Sequence, residues 1–527
     1  MMVFLQFKQL LLIGNNVFYL EGDVLMKLHT LLTHLPFVKQ MNGEDNPDIL
    51  AIEQDTRKVK EGTLFICIEG SRFDGHEFAH EAIEKGAVAI LSNRKLAVNV
   101  PNIIVPDTNR AMAILADAFY QHPTHELFLV GITGTNGKTS VSHLVDHIFC
   151  AANKKTGLIG TLYSKFGNKT TETKNTTPDS LTLQKTFRQM LNEHVEAVSM
   201  EVSSHALVQG RVRGCDFDIA VFTNLTQDHL DYHKTMEEYK KAKSLLFSQL
   251  GNTYYENRKK YAVLNADDST TEEYMKMTSA HIITYGMKNA CDVRAENVNF
   301  TGQGTTFHLK TPKGNRQVTT KLIGIFNVYN VLAAVSVGLA AGINIDTMIN
   351  SLSSFAGVPG RFELVQAGQK FPVIVDYAHT PDSLENVLKT VTSLPHSRIF
   401  VVVGCGGDRD HGKRPLMARI ACTYASDAIF TSDNPRSEDP MAILNDMEKG
   451  VSGLSYKVIP ERKEAIHYAI EQANDGDVVL IAGKGHETYQ IIGDKVIDFD
   501  DRQIAKESIT EKYKKFQPTK RNTDFDK

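Results

Sequence analysis

Between an apolar run, Leu127 to Val130, and an amphipathic segment carrying Val141, Leu144, Val145, Ile148 and Phe149 lies Gly131-Ile-Thr-Gly134-Thr135-Asn136-Gly137-Lys138-Thr139-Ser140. No other stretch restricts the fold as tightly. The order strand, glycine-rich turn, Lys-Thr, helix lets backbone N–H groups turn toward an anion at the positive end of a helix. Lys138 is then placed for the outer phosphates of a nucleoside triphosphate, and the Thr139 hydroxyl for Mg²⁺. Five residues separate Gly131 from Gly137, one more than the common phosphate-loop spacing. The alternative is a tight strand-to-helix turn with a surface lysine. The flanking pattern favours nucleotide binding.

A length of 527 residues suggests about three domains. A formal charge of -4, with no basic domain, argues against nucleic acid as the main partner. The six cysteines are scattered without CxxC pairs, which points to a reduced, cytoplasmic protein with neither zinc ribbon nor disulfide framework. Residues 1–25 hold short apolar runs interrupted by Lys8, with no small-residue cleavage site and no span long enough for membrane insertion. Met26 offers a second start, so residues 1–25 are read as a start-site artefact or dispensable arm, a poor secretion signal being the alternative.

The remainder reads as α/β throughout. Residues 26–126 form a small domain, with strands at Thr63 to Ile68 and Ala87 to Leu91 and a helix at His80 to Lys85. Gln121 to His125 reads as a linker. Residues 127–357 alternate strand and helix around the glycine-rich loop, with strands at Val195 to Met200 and Ile219 to Phe222 and an antiparallel patch over 290–322. Residues 358–512 form a third unit with strands at Val373 to Val375, Ile399 to Val403, Ala428 to Thr431 and Val478 to Ile481. Each of these runs into a polar or glycine-rich loop, which is where sites sit in parallel sheets. Residues 513–527 are a charged tail.

Several side chains stand out. Glu201 closes its strand and suits Mg²⁺, which takes one or two carboxylates plus phosphate and water. Thr223 to His233 packs Asn224, Asp228, His229 and His233 into one stretch. His229 is read as a contact to Mg²⁺ or its water, and His233 as a capping or surface residue. In the next helix Met236, Tyr239, Leu246, Phe247 and Leu250 form an apolar stripe with Lys243 in its middle, while Lys240 and Lys241 lie off it. A lysine there either snorkels or loses its charge. A neutral amine can add CO₂ and become a carbamate, a metal-ligating anion. Arg409 and Arg436 lie in strand-end loops, and with Glu487 they suit an amino acid carrying both carboxylate and ammonium groups. Surface salt bridging to Glu438 and Asp439 is the alternative for Arg436.

Five motifs in order, Gly134-Thr-Asn-Gly-Lys138-Thr139, Glu201-Val-Ser-Ser-His205, Asn224 with Asp228-His229, Gly324-Ile-Phe-Asn327-Val-Tyr-Asn330 and Asp376-Tyr-Ala-His379, together resemble the Mur ligases. The match runs from about residue 45 to about residue 510. The resemblance implies three domains: a UDP-binding N-terminal domain, a central ATP-binding domain with a parallel sheet, and a Rossmann-like C-terminal domain that closes over the ATP site. It implies ATP as co-substrate, with Gly134, Thr135, Asn136, Gly137, Lys138, Thr139, Ser140, Asn327, Arg361 and Asp376 on the nucleotide. Lys138, Glu201, His229 and Lys243 would be catalytic, with Thr139, Glu201, His229 and Lys243 on Mg²⁺ and Lys243 carried as a carboxylysine.

Within the family the chain is similar to members that extend UDP-N-acetylmuramoyl-L-alanyl-D-glutamate. Thr56, Ser71, Arg72 and Phe73 then resemble the uridine-nucleotide contacts, although many relatives have serine where Thr56 stands. Asn175, Thr176, Thr177, Ser203, Gln209 and Arg211 resemble those to the muramoyl-dipeptide. The loop Asp433-Asn434-Pro435-Arg436 matches the version associated with meso-diaminopimelate as acceptor, with Arg409, Gly483 and Glu487 as further contacts. Arg436 would pair the distal carboxylate that lysine lacks. Lysine as acceptor, a folate polyglutamate-type ligase and an ATP-holding switch protein are the competing readings. A monomer is expected, with Gly357 to Arg361 as the hinge.

Overall fold

In the computed structural model, residues 18–20, 23–70, 73–173, 175–252, 254, 258–301 and 304–515 are described. The expected contacts Ser71 and Arg72, most of the N-terminal arm and the end of the tail lie outside them. The chain packs as two compact units. One comprises Met1–Gly131, Asn153–Ala220 and Leu250–Lys260, the other Ile132–Ala152, Val221–Gln249 and Tyr261–Lys527.

In the first unit a five-stranded sheet has the order Gln40–Asn42, Asn102–Ile104, Ala87–Ser92, Thr63–Ile66, Ala51–Glu53, parallel except for its first strand. Thr63–Ile66 is buried at every position. Leu64 and Ile66 enter one core with Leu91, Ile103, Leu115 and Phe119, whereas Phe65 and Cys67 enter a second with Ala79 and Ala82. This two-residue alternation between two apolar layers explains why the sequence reads as an unbroken hydrophobic run. The helix Ala79–Glu84 lies one residue from its expected place. The linker Gln121 to His125 is tighter than a loop: Pro123–His125 is a turn of 3-10 helix. Farther along, Thr156–Ile159 runs parallel to Ala197–Glu201. Glu201 is therefore the last residue of its strand, which starts later than the apolar run from Val195 suggests. The segment Phe18–Leu20, inside the expected dispensable arm, pairs antiparallel with Asp23–Lys27.

Besides a two-stranded sheet that pairs Tyr489–Ile492 with Lys495–Asp498, two sheets carry most of the second unit's described strands. In one, Tyr261–Asn265, His281–Gly286 and Val293–Thr301 are parallel neighbours, and Gly304–Lys310 and Arg316–Thr320 continue antiparallel, as the alternation over 290–322 predicts. The other has the order Glu363–Val365, Val373–Asp376, Val478–Ala482, Ile399–Val403, Asp427–Phe430, Lys457–Val458. Val401 and Val403 face a core with Leu384, Leu388 and Met417, while Phe400 and Val402 face Ile466 and Ile470. All four expected strands of this region are present. Their parallel pairing sends their carboxyl ends, and the loops after them, to one edge of the sheet. No helix among the described residues is long and apolar enough to cross a membrane.

Candidate active site

The glycine-rich loop links the strand Phe128–Thr133 to the helix Lys138–Ala151. Gly134 has φ of +149°, and a Cβ there would lie 1.8 Å from Thr223 Oγ1, so only glycine fits. The loop is fastened from outside. Thr135 N donates to Asn224 O (2.8 Å) and Asn136 N to Asn224 Oδ1 (2.9 Å), while Thr223 Oγ1 donates to Asn136 O (2.6 Å). Lys138 Nζ folds over the loop and donates to Gly134 O (2.9 Å) and Thr135 O (2.8 Å). Thr139 and Ser140 are buried in the first turn of the helix, and Arg361 Nη2 donates to Thr139 Oγ1 (3.1 Å). Arg361 also stacks on the Tyr377 ring at 4.3 Å, and its buried Nε has no hydrogen-bond partner among the described residues. A donor left unpaired beside a phosphate loop is a ready partner for an anion.

Lys243 does not snorkel. In the helix Met236–Ser248 it is 1% exposed, with Nζ 4.4 Å from the Tyr239 ring centre and donating to Gly134 O at 2.8 Å. Burial, then repulsion from Lys138, lowers its pKa well below that of an ordinary lysine, against a weaker pull from Asp228. The same burial shifts Lys243 toward the neutral amine that CO₂ addition requires. Lys240, expected to be solvated, is instead paired to Glu237 and Glu273.

His229 begins the short helix Leu230–His233 with φ of +56°, and its Nε2 lies 3.3 Å from Asp228 Oδ2. Burial works against ionisation of Asp228, yet His229, His379 and Lys413 outweigh it and hold its pKa at about 2. His379 is half-buried and neutral near pH 7, its pKa lowered to about 4 by desolvation and then by Lys413. His233, expected as a capping or surface residue, does end the short helix but is not at the surface: it is 4% exposed, its ring packed against Tyr232 and Tyr239.

The remaining nucleotide candidates sit one layer back. Asn327 Nδ2 donates to Ile323 O, and Asn327 Oδ1 accepts from Asn330 Nδ2. Asp376 accepts from the N–H groups of Phe362 and Ala378, both at 2.7 Å, and burial raises its pKa to about 6. Its carboxylate therefore fixes the segment that carries Arg361. Sequence reasoning missed Asp382. Its Oδ2 accepts from Asn136 Nδ2 at the loop tip (2.8 Å) and from Thr226 Oγ1 (3.3 Å). Only its place three residues after His379 hinted at this.

At the edge of the sheet that contains Val478–Ala482, all the expected acceptor residues except Arg409 form one cluster. Arg436, at φ of +52°, does not pair with Glu438 or Asp439. Glu438 takes Arg414, and Asp439 caps the helix Pro440–Glu448. Arg436 Nη1 donates to Gly407 O (2.8 Å) and Asn434 O (3.4 Å), leaving Nη2 and Nε without a hydrogen bond among the described residues. A Cβ on Gly407 would lie 1.9 Å from Pro435 O, so this glycine lets the two loops touch. Asn434 Nδ2 donates to Glu487 Oε2 at 2.8 Å, and Gly483 lies against the Asp433 carboxylate. Arg409 is exposed and bonds only its neighbour Asp408 O among the described residues.

In the first unit Glu201, 1% exposed, accepts from Thr161 N (2.8 Å) and Thr161 Oγ1 (3.0 Å). Thr161 Oγ1 is 3.1 Å from Thr176 Oγ1, Thr177 Oγ1 donates to Glu201 O (2.9 Å), and Ser203 N donates to Thr177 Oγ1 (3.1 Å). Arg211 Nη1 donates to Thr177 O (2.9 Å), and Arg211 Nε to Gln209 Oε1 (2.9 Å). Five of the six expected dipeptide contacts thus share a hydrogen-bonded patch with Glu201. Asn175 is exposed beside Thr176. Thr161, which organises the patch, was missed because nothing in the chain marks it except its place after the strand Thr156–Ile159. Thr56 opens the turn Thr56–Lys58, capped by Asp55, and Phe73 is 71% exposed.

Comparison with known proteins agrees with this geometry. Three family models match: "Mur ligase family, catalytic domain" over residues 48–120, "Mur ligase middle domain" over 132–338 and "Mur ligase, glutamate ligase domain" over 360–485. The chain is 60% identical over 489 residues to the UDP-N-acetylmuramoyl-L-alanyl-D-glutamate--2,6-diaminopimelate ligase of Geobacillus thermodenitrificans, covering 92% of this chain and 100% of that one. It is 59% identical to the Bacillus cereus enzyme of the same name, covering 92% and 99%. A solved structure of a ligase of that name superposes with a TM-score of 0.66 at 34% identity, covering 92% of this chain and 99% of the other. With the phosphate loop, its fastening strand ends and the acceptor loops arranged as described, the chain belongs to the Mur ligase family.

Proposed function

We propose that this chain is an ATP-dependent amide ligase that joins meso-diaminopimelate to the D-glutamate γ-carboxylate of UDP-N-acetylmuramoyl-L-alanyl-D-glutamate, a step of peptidoglycan precursor synthesis. The observation that carries the acceptor assignment is the pair of opposite ends meeting at Asn434. Arg436 offers a free guanidinium edge for a distal carboxylate, and Glu487 offers a carboxylate for the adjacent ammonium. A lysine acceptor would leave Arg436 facing an ammonium alone. Residues 26–126, 127–357 and 358–512 are taken as the nucleotide-sugar, ATP and acceptor domains, acting as a monomer in the cytoplasm.

The γ-carboxylate oxygen attacks the γ-phosphorus of ATP, the bond to the bridging oxygen breaks, and ADP leaves. The acceptor amine then attacks the acyl carbon, loses its proton, and phosphate departs as the amide forms. Backbone N–H groups of the phosphate loop, Lys138 and the unpaired edge of Arg361 bind and orient the triphosphate and neutralise charge on the transferred group. Thr56 and Phe73, with Ser71 and Arg72, are assigned to the uridine nucleotide. Thr177, Ser203, Gln209 and Arg211 are assigned to holding the dipeptide.

The donor set suits a hard divalent cation. It offers the Thr139 hydroxyl, the Asp228–His229 pair and a lysine whose burial favours carbamylation, whereas no cluster of three His, Cys, Asp or Glu ligands exists among the described residues. Mg²⁺ takes most of its shell from phosphate and water, so it does not need such a cluster. Thr139, His229 and carbamylated Lys243, with Glu201 assigned from the sequence, would hold it. When bound it supplies electrostatic shielding of the phosphates.

The test is phosphate release from ATP and product mass, with UDP-muramoyl-dipeptide present and diaminopimelate, lysine or neither added. Release that requires the dipeptide, with product only from diaminopimelate, is the expected result. Release indifferent to both substrates would instead mark an ATP-holding switch.

A further inference from the structure

Lys484 is among the most deeply buried cations in the second unit, with its side chain 0% exposed. It stands in the loop after the strand Val478–Ala482, between Gly483 and Gly485. Its Nζ donates to Asn434 Oδ1 at 3.1 Å and to Glu487 Oε2 at 3.0 Å, and it lies 5.5 Å from the centre of the Tyr489 ring. The same Asn434 Oδ1 accepts from Ile491 N at 3.0 Å, so the amide can only point its Nδ2 at Glu487. Glu487 Oε2 is thereby held twice, and Oε1 takes no hydrogen bond from the described residues.

We propose that Lys484 is a positioning residue of acceptor recognition: its buried ammonium locks Asn434 and Glu487 into one arrangement and leaves Glu487 Oε1 directed to the acceptor's ammonium. This rests on the reading of the cluster as the diaminopimelate pocket. The electrostatics require such a cation. Glu487 is half-buried close to a second carboxylate, Asp433, and desolvation first and Asp433 second favour its neutral form, with Lys484 as the counterweight. Arg462, Tyr377 and Tyr489 also act on it, and His486, next to it in the chain, has its pKa lowered by burial first and by Arg361, Arg502 and Lys484 after it. A protonated Glu487 would have no charge with which to bind an ammonium. Removing one partner of a buried charge pair also costs far more than removing an exposed one.

The experiment is steady-state kinetics of Lys484→Met, which keeps the length and removes the charge. The KM for diaminopimelate should rise about 30-fold or more, with kcat and the KM for ATP and for the dipeptide nearly unchanged. The acceptor KM of the variant should improve as pH rises, because Glu487 must then ionise without help. In a Glu487→Gln background the same change should have little further effect. Lys484→Gln serves if Lys484→Met does not fold, and binding of ATP and dipeptide reports folding. An unchanged acceptor KM, or full additivity with Glu487→Gln, overturns the proposal. If the unaltered protein makes no product from diaminopimelate, the acceptor assignment itself has failed instead.

Discussion

Replacing Lys243 by Met separates the two states in which a buried lysine can exist. In protein kept free of CO₂ the amine is buried with one carbonyl acceptor, Gly134 O at 2.8 Å, and the face of Tyr239. Its folded pKa lies below that of the unfolded chain, the reverse of the usual lysine case, because burial outweighs every attraction. Between the lowered value and the ordinary 10.5, the unfolded state binds one more proton than the folded state. This residue therefore makes stability rise with pH across that window, by about 1.4 kcal/mol per pH unit. Lys243→Met removes that slope. Near neutral pH the variant should be at least as stable as the original, since an apolar side chain replaces a poorly paired buried amine. Its advantage should shrink as pH approaches 10.5. Activity should move the other way, falling about 100-fold or more, as when a preorganised electrostatic group is lost. Urea unfolding at a series of pH values gives the first quantity and ADP formation the second. Bicarbonate should raise the activity of CO₂-depleted original protein, and a short-chain carboxylate should partly restore Lys243→Ala. Parallel pH–stability curves for the two proteins, or full activity in Lys243→Ala, would refute the reasoning.

Three further outcomes are expected. Arg436→Ala should raise the diaminopimelate KM about 30-fold or more and narrow the preference over lysine, measured by product mass in competition. Gly134→Ala should cost about 1–3 kcal/mol in urea unfolding and abolish ATP turnover, because the added Cβ meets Thr223 Oγ1 at 1.8 Å in a backbone conformation alanine resists. Asp501→Ala should cost about 3–5 kcal/mol, since it strands Arg462 with both partners of the pair fully buried, and the urea midpoint of the second unit reads this directly.

The sequence by itself determined whatever depends on near neighbours in the chain. The phosphate loop, the strands ending at Phe222 and Val403, and the misfit of Lys243 in its stripe follow from period and turn chemistry, which act over a few residues. What those residues meet was decided by tertiary structure. Lys243 reaches the carbonyl of Gly134, 109 positions away, and Asp382 reaches Asn136, 246 away, only because particular elements pack side by side. Thr161 and Lys484 escaped a reading of the chain for the same reason. An isolated threonine or lysine has no pattern, and it becomes a fixed part of a site only when burial removes water and leaves one set of partners. His233 is a further case: its local sequence left it as a capping or surface residue, yet the fold packs its ring against Tyr239.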